Sequence, residues 1–500
     1  MFWADKILQK RKNDEWVNDA WTPSGIIHMG SLKGLVIHDV LNKIICEQGR
    51  KTKYTFGFDD FDPIDGLPVN LREKLGEYMG VPICNAPAPS GEGTFGEYYA
   101  QVMRSMFKKL GIEAEIYLAS DYYRKGIYDE SIRFVLDNAD KIRKVYSEMY
   151  QKEIASSWFP LQVICLNCGK LGTTKVVDWN GEMVTYECSK TLVKWAEGCG
   201  NTGMVSPFGG NAKMPFKVEW AAKWWTFGVT IEGAGKDHAS AGGTYDVARK
   251  IIKDVFEKDP PLKIPYEFFL YDGKKMSSSK GLGLTGDDLL EVMPPELVRF
   301  LMIKTLPNQA VEFNPYSTQI IPRLYDDYQK CAIKYQKGID DDDARVFKLS
   351  QVGDSVLYPP EERFTTLAQW SQMPSVLSEI SDSALVPWIK YAKIWVEKYA
   401  PEKDKFLVQE SLPEMVTELS SEQKNYLNEL QKKLSRKLTP EQIQEIVYDT
   451  AKELNIRSLD AFKAIYTSLL GKDHGPKAAW LISSLDDEFV KQRFAESVHA

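Results

Sequence analysis

The stretch Thr-Pro-Ser-Gly-Ile-Ile-His-Met-Gly-Ser, residues 22–31, lies between a short apolar segment and an amphipathic helical pattern that ends before Gly49. Residues 54–58 then read as a buried strand that runs into Asp-Asp-Phe-Asp at 59–62. Strand, loop, helix and strand in this order form a βαβ unit, which implies a parallel sheet. Because such sheets bind ligands at the carboxyl ends of their strands, the loops at 22–31 and 59–62 are the first candidates for a functional site.

The composition is that of a globular protein with more than one domain. The chain has 500 residues, of which 43% are hydrophobic and 27% charged, so disordered, collagen-like and very small classes are excluded. The formal net charge of −7 carries no global signal for nucleic acid, although a local basic face would still bind phosphate. No apolar run is long enough for a membrane span, and the basic start of the chain is not followed by the apolar segment of a signal peptide. These patterns predict a cytoplasmic protein.

The patterns along the chain divide it into two parts. The parallel-sheet pattern resumes at 217–256, and 266–271 is a further strand candidate. Beyond 321 the patterns are helical, and one helix is predicted to begin at Thr439-Pro440, an N-cap residue followed by an N1 proline. We therefore predict an α/β fold: a Rossmann-like parallel-sheet catalytic domain over 1–320, with a cysteine-rich, zinc-ribbon-like insertion over 159–215 and a polar loop region over 272–320, followed by an all-α domain over 330–500.

The first motif, residues 22–31, has the composition of a phosphate site. A helix that begins here offers unpaired N–H groups and the positive end of its dipole to an anion. Gly30 lets the backbone approach a ligand closely, and His28 can donate a hydrogen bond to a phosphoryl oxygen whose charge grows in a transition state. The alternative is a histidine that only serves the start of the helix.

The second motif is Lys-Met-Ser-Ser-Ser-Lys-Gly at 275–281. Two lysines and three serines in one loop can hold a polyphosphate, because lysine supplies charge and the hydroxyls supply hydrogen bonds. A solvated surface loop is the plain alternative. The presence of the first motif upstream favours the phosphate interpretation.

The cysteine cluster predicts a metal site. Cys165 and Cys168 have the spacing of a zinc knuckle, and Cys188 and Cys199 follow with a wider spacing than is usual. With four thiolates the site would be closed and structural, holding Zn²⁺. A redox Cys-x-x-Cys pair is the rival interpretation, and Cys84 or a histidine remains open as the fourth ligand.

Together the first two motifs resemble the two signatures of class I aminoacyl-tRNA synthetases. Residues 28–31 match the H-x-G-x form of the first signature, and 275–279 match the K-M-S-x-S form of the second. Two positions depart from the usual pattern. Ser31 stands where a second histidine is common, and Ser278 stands where a lysine is common, with Lys280 two places on.

Longer segments resemble one subgroup, the class I lysyl-tRNA synthetases, and they extend over nearly the whole chain. These segments are 58–63, 122–126, 235–243, 266–269, 275–281, 475–477 and 483–486. The resemblance implies an ATP-dependent ligase that forms lysyl-adenylate and passes lysine to the 3′ end of tRNA(Lys), with Mg²⁺ accompanying ATP. It also implies that the all-α domain binds the anticodon. The oligomeric state stays open.

The resemblance and the motif chemistry assign the site residues. The catalytic group is His28, Gly30, Lys275 and Lys280. The ATP-binding group is Thr22, Pro23, Ser24, Gly25, His28, Gly30, Ser31, Met276, Ser277, Ser278 and Ser279. The lysine-binding group is Asp59, Asp60, Asp62, Trp220, Asp237 and His238. The metal-binding group is Cys165, Cys168, Cys188 and Cys199.

A lysine substrate requires carboxylates or carbonyls for its ammonium group and an aromatic wall for its stem, which is why aspartates and a tryptophan stand in the lysine-binding group. The sequence leaves open which aspartate meets the ammonium. The alternatives are a class I synthetase for another amino acid, a related nucleotidyltransferase, and a non-catalytic RNA-binding relative.

Overall fold

The computed structural model describes residues 1–276, 283–373, 377, 380, 383–435 and 438–500. The predicted Ser277, Ser278, Ser279 and Lys280 lie outside these residues. The chain forms two compact units. The first contains Met1–Leu290, Pro294–Phe313 and Lys334–Leu357, and the second contains Glu291–Met293, Asn314–Ile333 and Tyr358–Ala500.

The strands all lie in the first unit. In chain order they are β1 (Glu15–Trp21), β2 (Thr52–Phe58), β3 (Glu115–Leu118), β4 (Gln162–Val163), β5 (Thr174–Trp179), β6 (Val184–Cys188), β7 (Thr202–Val205), β8 (Ala212–Lys213), β9 (Ile231–Gly235), β10 (Leu262–Tyr266), β11 (Phe269–Tyr271), β12 (Lys274–Lys275) and β13 (Val311–Glu312).

The helices occur in both units. In chain order they are α1 (Trp3–Leu8), α2 (Met29–Glu47), α3 (Arg72–Leu75), α4 (Phe95–Lys109), α5 (Ala119–Arg124), α6 (Asp129–Asp137), α7 (Ala139–Tyr150), α8 (Phe216–Phe227), α9 (Lys236–Ala239), α10 (Thr244–Asp254), α11 (Gly286–Val292), α12 (Pro295–Ile303), α13 (Ile320–Gln336), α14 (Asp342–Ser350), α15 (Phe364–Trp370), α16 (Val386–Lys398), α17 (Ser421–Lys433), α18 (Pro440–Glu453), α19 (Ser458–Leu470), α20 (Ala478–Ser483) and α21 (Asp487–His499). Short 3₁₀ turns cover Val69–Leu71, Gly76–Tyr78, Ile83–Asn85, Glu402–Asp404 and Glu414–Glu418.

The main sheet is parallel, with the strand order β10-β9-β1-β2-β3. The order runs outward in both directions from β1, so the sheet has its topological switch point between β1 and β9. Trp21 pairs with Phe58 at the carboxyl ends of β1 and β2, which brings the loops after these two strands to the same edge. The predicted α/β class with a parallel sheet is confirmed.

Helix α2 connects β1 to β2 and packs in the core of the first unit. Its apolar positions, among them Leu32, Val36 and Val40, are fully buried. His28 is the N-cap residue, in extended conformation, so the unpaired N–H groups of the first turn begin directly after the first motif. The sequence pattern therefore places the start of this helix at the carboxyl edge of the sheet.

The cysteine-rich insertion forms two small antiparallel sheets. One pairs β4 with β8, and the other has the order β5-β6-β7. Val176, Val184 and Tyr186 from these strands are buried in the same apolar cluster as helix α8. The insertion therefore has a core that is continuous with the sheet domain.

The second unit is helical in its described residues. Its C-terminal part packs around a cluster that includes Tyr426, Leu427, Val447 and Leu469. Thr439 caps α18 through a reciprocal capping box with Gln442, so the predicted helix start is confirmed. Across the described part of the chain, we find no helix with the length and apolar character that crossing a bilayer would require.

Candidate active site

The first motif and the segment after the second motif are joined by backbone pairing. His28 and Thr285 form an antiparallel bridge, and the Met29 N–H donates to the carbonyl of Leu284 at 2.8 Å. The first motif and the segment that follows the second motif, which lie far apart in the chain, therefore meet at the start of helix α2.

The His28 imidazole is half-buried and held by its neighbours. Its Nδ1 is buried and has no hydrogen-bond partner among the described residues. Burial, and then the charge of Lys275, lower the pKa of His28, so the ring is neutral near pH 7. A Cβ at position 30 would lie 2.8 Å from the His28 Cε1, so only glycine leaves room for this ring. A neutral histidine with an unused buried nitrogen is suited to bind a ligand oxygen.

Lys275 stands at the end of the hairpin formed by β11 and β12. Its ammonium forms an ion pair with Asp237 and lies 4.4 Å from the centre of the Phe268 ring. Met276 is buried beside it, and the structure describes the second motif only as far as this residue. Lys275 and Asp237 thus meet at the carboxyl edge of the sheet.

A cavity of about 770 Å³ opens at this edge, next to the switch point. Most of the predicted site residues line it: Thr22, Ser24, His28, Gly30, Ser31, Asp59, Asp62, Trp220, Asp237, His238, Lys275 and Met276. Pro23, Gly25 and Asp60 are not among the lining residues. The single cavity brings together the predicted ATP-binding and lysine-binding groups.

Two of the predicted aspartates are paired with buried lysines that the sequence analysis did not select. Lys223 lies 3.3 Å from Asp59, and Lys213 lies 2.9 Å from Asp62 and also contacts Glu219. Burial raises the pKa of Glu219 to about 7, although the charge of Lys213 opposes this shift. Ion pairs of this kind hold their members in place and neutralise the charge of both aspartates.

Asp60 has a different environment. Its carboxylate accepts hydrogen bonds from the Ser120 N–H at 2.9 Å and from the Ser120 hydroxyl at 2.5 Å. Burial raises the pKa of Asp60 to about 6, although these hydrogen bonds lower it and the charge of Asp59 raises it further. The Asp60 side chain therefore holds the first turn of helix α5 close to the loop that follows β2.

Trp220 and His238 form one aromatic wall of the cavity. Their rings meet edge to face, with centres 5.9 Å apart, and Trp220 also contacts Tyr245. The His238 Nδ1 lies 2.8 Å from the Thr244 hydroxyl, and burial lowers the pKa of His238. Such a wall suits the apolar stem of a substrate.

The sequence analysis missed five buried charged residues that line the same cavity. They are Asp19, Lys213, Glu219, Lys223 and Glu232. For two of them the sequence does hold a signal, because Glu219 and Lys223 are charged residues one helical turn apart among the aromatic and apolar residues of helix α8. Asp19, Lys213 and Glu232 lie in strands, where a single charged residue gives no comparable signal.

The four predicted metal ligands come together in the insertion. All four sulfur atoms lie within 4.8 Å of one another. The Sγ atoms of Cys165 and Cys199 are 3.6 Å apart, and those of Cys168 and Cys188 are 3.7 Å apart. A tetrahedral site with metal–sulfur bonds of about 2.3 Å has sulfur–sulfur edges of about 3.8 Å, so this donor set could hold one metal ion.

Comparison with known proteins identifies the family to which these motifs belong. The family model described as tRNA synthetases class I (K) matches residues 1–353. A lysine–tRNA ligase from Archaeoglobus fulgidus is 33% identical over 99% of this chain and 99% of that protein. Lysine–tRNA ligase 1 from Methanosarcina acetivorans is 32% identical over 99% of this chain and 98% of that protein.

Among solved structures, a glutamate tRNA ligase from Elizabethkingia meningosepticum has a TM-score of 0.49 and 13% identity, covering 97% of this chain and 99% of that one. The family model matches well over half of the chain, and the relatives extend over nearly all of it. The chain therefore belongs to the family of class I tRNA synthetases (K), within the class I aminoacyl-tRNA synthetases.

Proposed function

We propose that this chain is a lysine–tRNA ligase. The carboxylate of lysine attacks the α-phosphorus of ATP, giving lysyl-adenylate and pyrophosphate, and the lysyl group then passes to the terminal adenosine of tRNA(Lys). One observation carries this proposal: residues from both class I signatures line the same cavity at the switch point. The relatives that match nearly the whole chain are lysine–tRNA ligases.

The phosphates of ATP are assigned to the start of helix α2. Its unpaired N–H groups favour an anion, and the unused His28 Nδ1 lies at the same end. Thr22, Pro23, Ser24, Gly25, Gly30 and Ser31 form the surrounding loop. His28 would act by stabilising charge on the phosphoryl oxygens, because this chemistry depends on positioning and electrostatics more than on covalent catalysis.

Pyrophosphate is assigned to the second motif. Lys275 would exchange its ion pair with Asp237 for contact with the departing phosphates. Met276 and the three serines 277–279 would complete this loop around ATP, with Lys280 supplying the charge that position 278 lacks. Mg²⁺ would arrive as the complex with ATP and share the phosphate charge.

The amino acid is assigned to the deeper part of the cavity. Trp220 and His238 would form the wall for the lysine stem. Asp59 and Asp62 line this region and would offer carboxylate oxygens to the ligand, although Lys223 and Lys213 neutralise their charge. Asp60 supports the loop that bears them. Asp237 would face the ligand once Lys275 has left it.

The remaining assignments concern domains, metal and location. We assign 1–320 to catalysis, with 159–215 as the metal-bearing insertion, 272–320 as the region of the second motif, and 330–500 as the anticodon-binding domain. The four-sulfur site would hold structural zinc, since a closed thiolate set leaves no position for substrate. The unbridged cysteines and a tRNA substrate favour the cytoplasm.

The test is exchange of labelled pyrophosphate into ATP with each amino acid in turn, with and without tRNA. Lysine-dependent exchange supports the proposal. Exchange with another amino acid would make the chain a ligase of that amino acid, and no exchange under any condition would overturn the ligase proposal. Metal analysis of protein purified without chelator should give about one zinc per chain, and its absence would overturn the zinc assignment.

A further inference from the structure

Two short contacts join the four cysteines of the insertion in pairs. The Sγ atoms of Cys165 and Cys199 are 3.6 Å apart, and those of Cys168 and Cys188 are 3.7 Å apart. Cys165 and Cys188 are buried, whereas Cys168 and Cys199 are partly exposed. Each short contact therefore joins the sulfur of a partly exposed cysteine to the sulfur of a buried one.

This pairing suits oxidation to disulfides by a peroxide. The thiolate of a partly exposed cysteine attacks one peroxide oxygen, which breaks the O–O bond and gives a sulfenic acid and hydroxide. The buried thiolate of the same pair then attacks the sulfenic sulfur, forms the S–S bond and expels a second hydroxide. Each pair thus gives two electrons to one peroxide molecule, and protons from solvent convert the two hydroxides to water.

A metal ion in the four-sulfur site would not remain bound after this oxidation. A closed zinc site is held by deprotonated sulfurs, and a disulfide sulfur carries no negative charge, so each disulfide removes two of the ligands. The S–S bond of a disulfide is about 2.05 Å long. The two sulfurs of each pair must therefore move together from their present 3.6 and 3.7 Å, which displaces the backbone that carries them.

Cys188 and Cys199 stand at the two ends of residues 189–198, a segment that we call the cysteine loop. The Cys199 N–H donates to the Cys188 Sγ at 3.3 Å. A Cβ at Gly198 would overlap the carbonyl oxygen of Ser189, so the two ends of the loop lie side by side. The position of the cysteine loop therefore depends on the two metal ligands that bound it.

The middle of the cysteine loop forms part of the wall of the cavity at the sheet edge. Val193 and Trp195 both line this cavity. The Trp195 ring lies against Gly172, where a Cβ would overlap it, and Pro63, in the loop after β2, lies at the same glycine. Because one loop carries both the metal ligands and this wall, a displacement of the cysteines at its ends also moves the wall.

We propose that the four cysteines form a peroxide-sensitive switch of the cavity: their oxidation to two disulfides expels the metal ion and displaces the cysteine loop, with Trp195, from the cavity wall. The switch rests on the zinc site of the proposed function. A dithiol reverses it, since each protein disulfide is reduced to two thiols while the reductant becomes a disulfide, and the four thiolates can then bind Zn²⁺ again.

The test treats the full-length, zinc-loaded protein with hydrogen peroxide. A chromogenic chelator should report the release of about one zinc per chain, and mass spectrometry of unreduced peptides should find disulfides within the two short pairs. Trypsin should cleave after Lys190 and Lys194, which are exposed in the cysteine loop, about tenfold faster than in untreated protein. Lysine-dependent pyrophosphate exchange should fall about tenfold, because a wall of the cavity is displaced. Dithiothreitol with Zn²⁺ should restore the zinc content and the exchange rate.

Two variants serve as controls. Cys46→Ser removes an exposed cysteine outside the cluster, so its zinc release and its exchange rate should respond to peroxide as those of wild type do. Trp195→Ala separates the metal site from the wall. It should release its zinc at the same peroxide concentration as wild type, but its exchange rate should be about tenfold low from the start and fall by no more than about twofold after oxidation.

Either of two results overturns the switch. One is zinc that stays bound at a peroxide concentration that oxidises Cys46, and the other is zinc release that changes neither the tryptic cleavage of the cysteine loop nor the exchange rate. Untreated protein that contains no zinc would overturn the zinc assignment and the switch together. If untreated protein contains zinc but shows no exchange, the ligase proposal falls, and zinc release with tryptic cleavage still decides the switch.

Discussion

Position 30 must be glycine because the His28 ring lies where a Cβ would be. We expect Gly30→Ala to displace the His28 ring, since the new Cβ would lie 2.8 Å from Cε1 and 2.9 Å from Nδ1. The variant should fold and lose about 100-fold in the rate of pyrophosphate exchange, which is typical for the loss of one charge-stabilising donor. Gly66→Ala is the control, because nothing lies within 4 Å of its added Cβ. Equal rates for the two variants would contradict the role given to His28.

Asp60 makes stability depend on pH. Burial raises the pKa of Asp60 to about 6 from its ordinary value of 3.8, so between these two pH values the folded protein holds a proton that the unfolded chain has lost. Wild type therefore loses stability as pH rises through this range. Asp60→Asn removes the titration and keeps an acceptor for the Ser120 N–H.

The advantage of Asp60→Asn over wild type should grow by about 1 kcal/mol between pH 5 and pH 8. Urea unfolding of both proteins at the two pH values measures it. A constant difference would mean that Asp60 has the same pKa in the folded and the unfolded protein, and so that burial does not raise it.

Single residues of the site were predictable where their chemistry is unusual for their position. His28 at a helix start and the four clustered cysteines are such cases. Lys213 and Asp19 were not, because their significance comes from burial and from neighbours distant in the chain. A lysine is ordinarily exposed, and only the fold shows that Lys213 is 2% exposed and lies between Asp62 and Glu219.

At the scale of elements, Lys33 links helix α2 to the strand end that precedes the second motif and to the segment 307–309. Lys33 is 1% exposed, and its ammonium donates to the carbonyls of Glu267, Pro307 and Gln309 at 3.1 to 3.2 Å. Burial lowers the pKa of Lys33 to about 8, although Glu267 raises it. One ammonium thus links helix α2 to residue 267 and to the segment 307–309.

Lys33→Met should lower the free energy of unfolding by about 3 kcal/mol, because the three carbonyls lose their charged donor. Lys108→Met, on the exposed face of α4, is the control and should stay within about 0.5 kcal/mol of wild type. Urea unfolding measures both. An unfolding free energy for Lys33→Met that equals the control value would show that the anchor contributes nothing.

Elements with local signals were predicted well. Helix α19 ends at Gly471, whose positive φ of 64° explains why the apolar pattern stops there, and α18 begins at its capping box. The start of α21 has a weaker local signal: Ser484 and Asp486 could both cap it, and it is Asp486 that accepts from the Phe489 N–H. Both residues precede the helix within three positions, and the local pattern alone did not discriminate between them.

For the whole molecule, the strand order could not be read from the chain, because helices α5 to α8 and the insertion together separate β3 from β9 by more than a hundred residues. The sequence patterns predicted strands and parallel pairing. They did not predict that β9 would lie beside β1, which is what creates the switch point and the cavity. That arrangement follows from packing of helices on the sheet rather than from any local signal.

The net charge of −7 leads to the last prediction. An acidic protein that binds tRNA must gather basic side chains where the phosphates lie, and each phosphate contact releases counterions on binding. KM for tRNA should therefore rise at least tenfold between 50 and 200 mM KCl. KM for lysine, measured at saturating tRNA, should change less than twofold, because the proposed lysine site is buried and poorly screened by salt. Steady-state aminoacylation at each salt concentration measures both constants. If KM for tRNA does not change with KCl concentration, the protein makes few contacts with the tRNA phosphates. The assignment of a tRNA-binding face to this acidic chain would then fail, even if the protein still activates lysine.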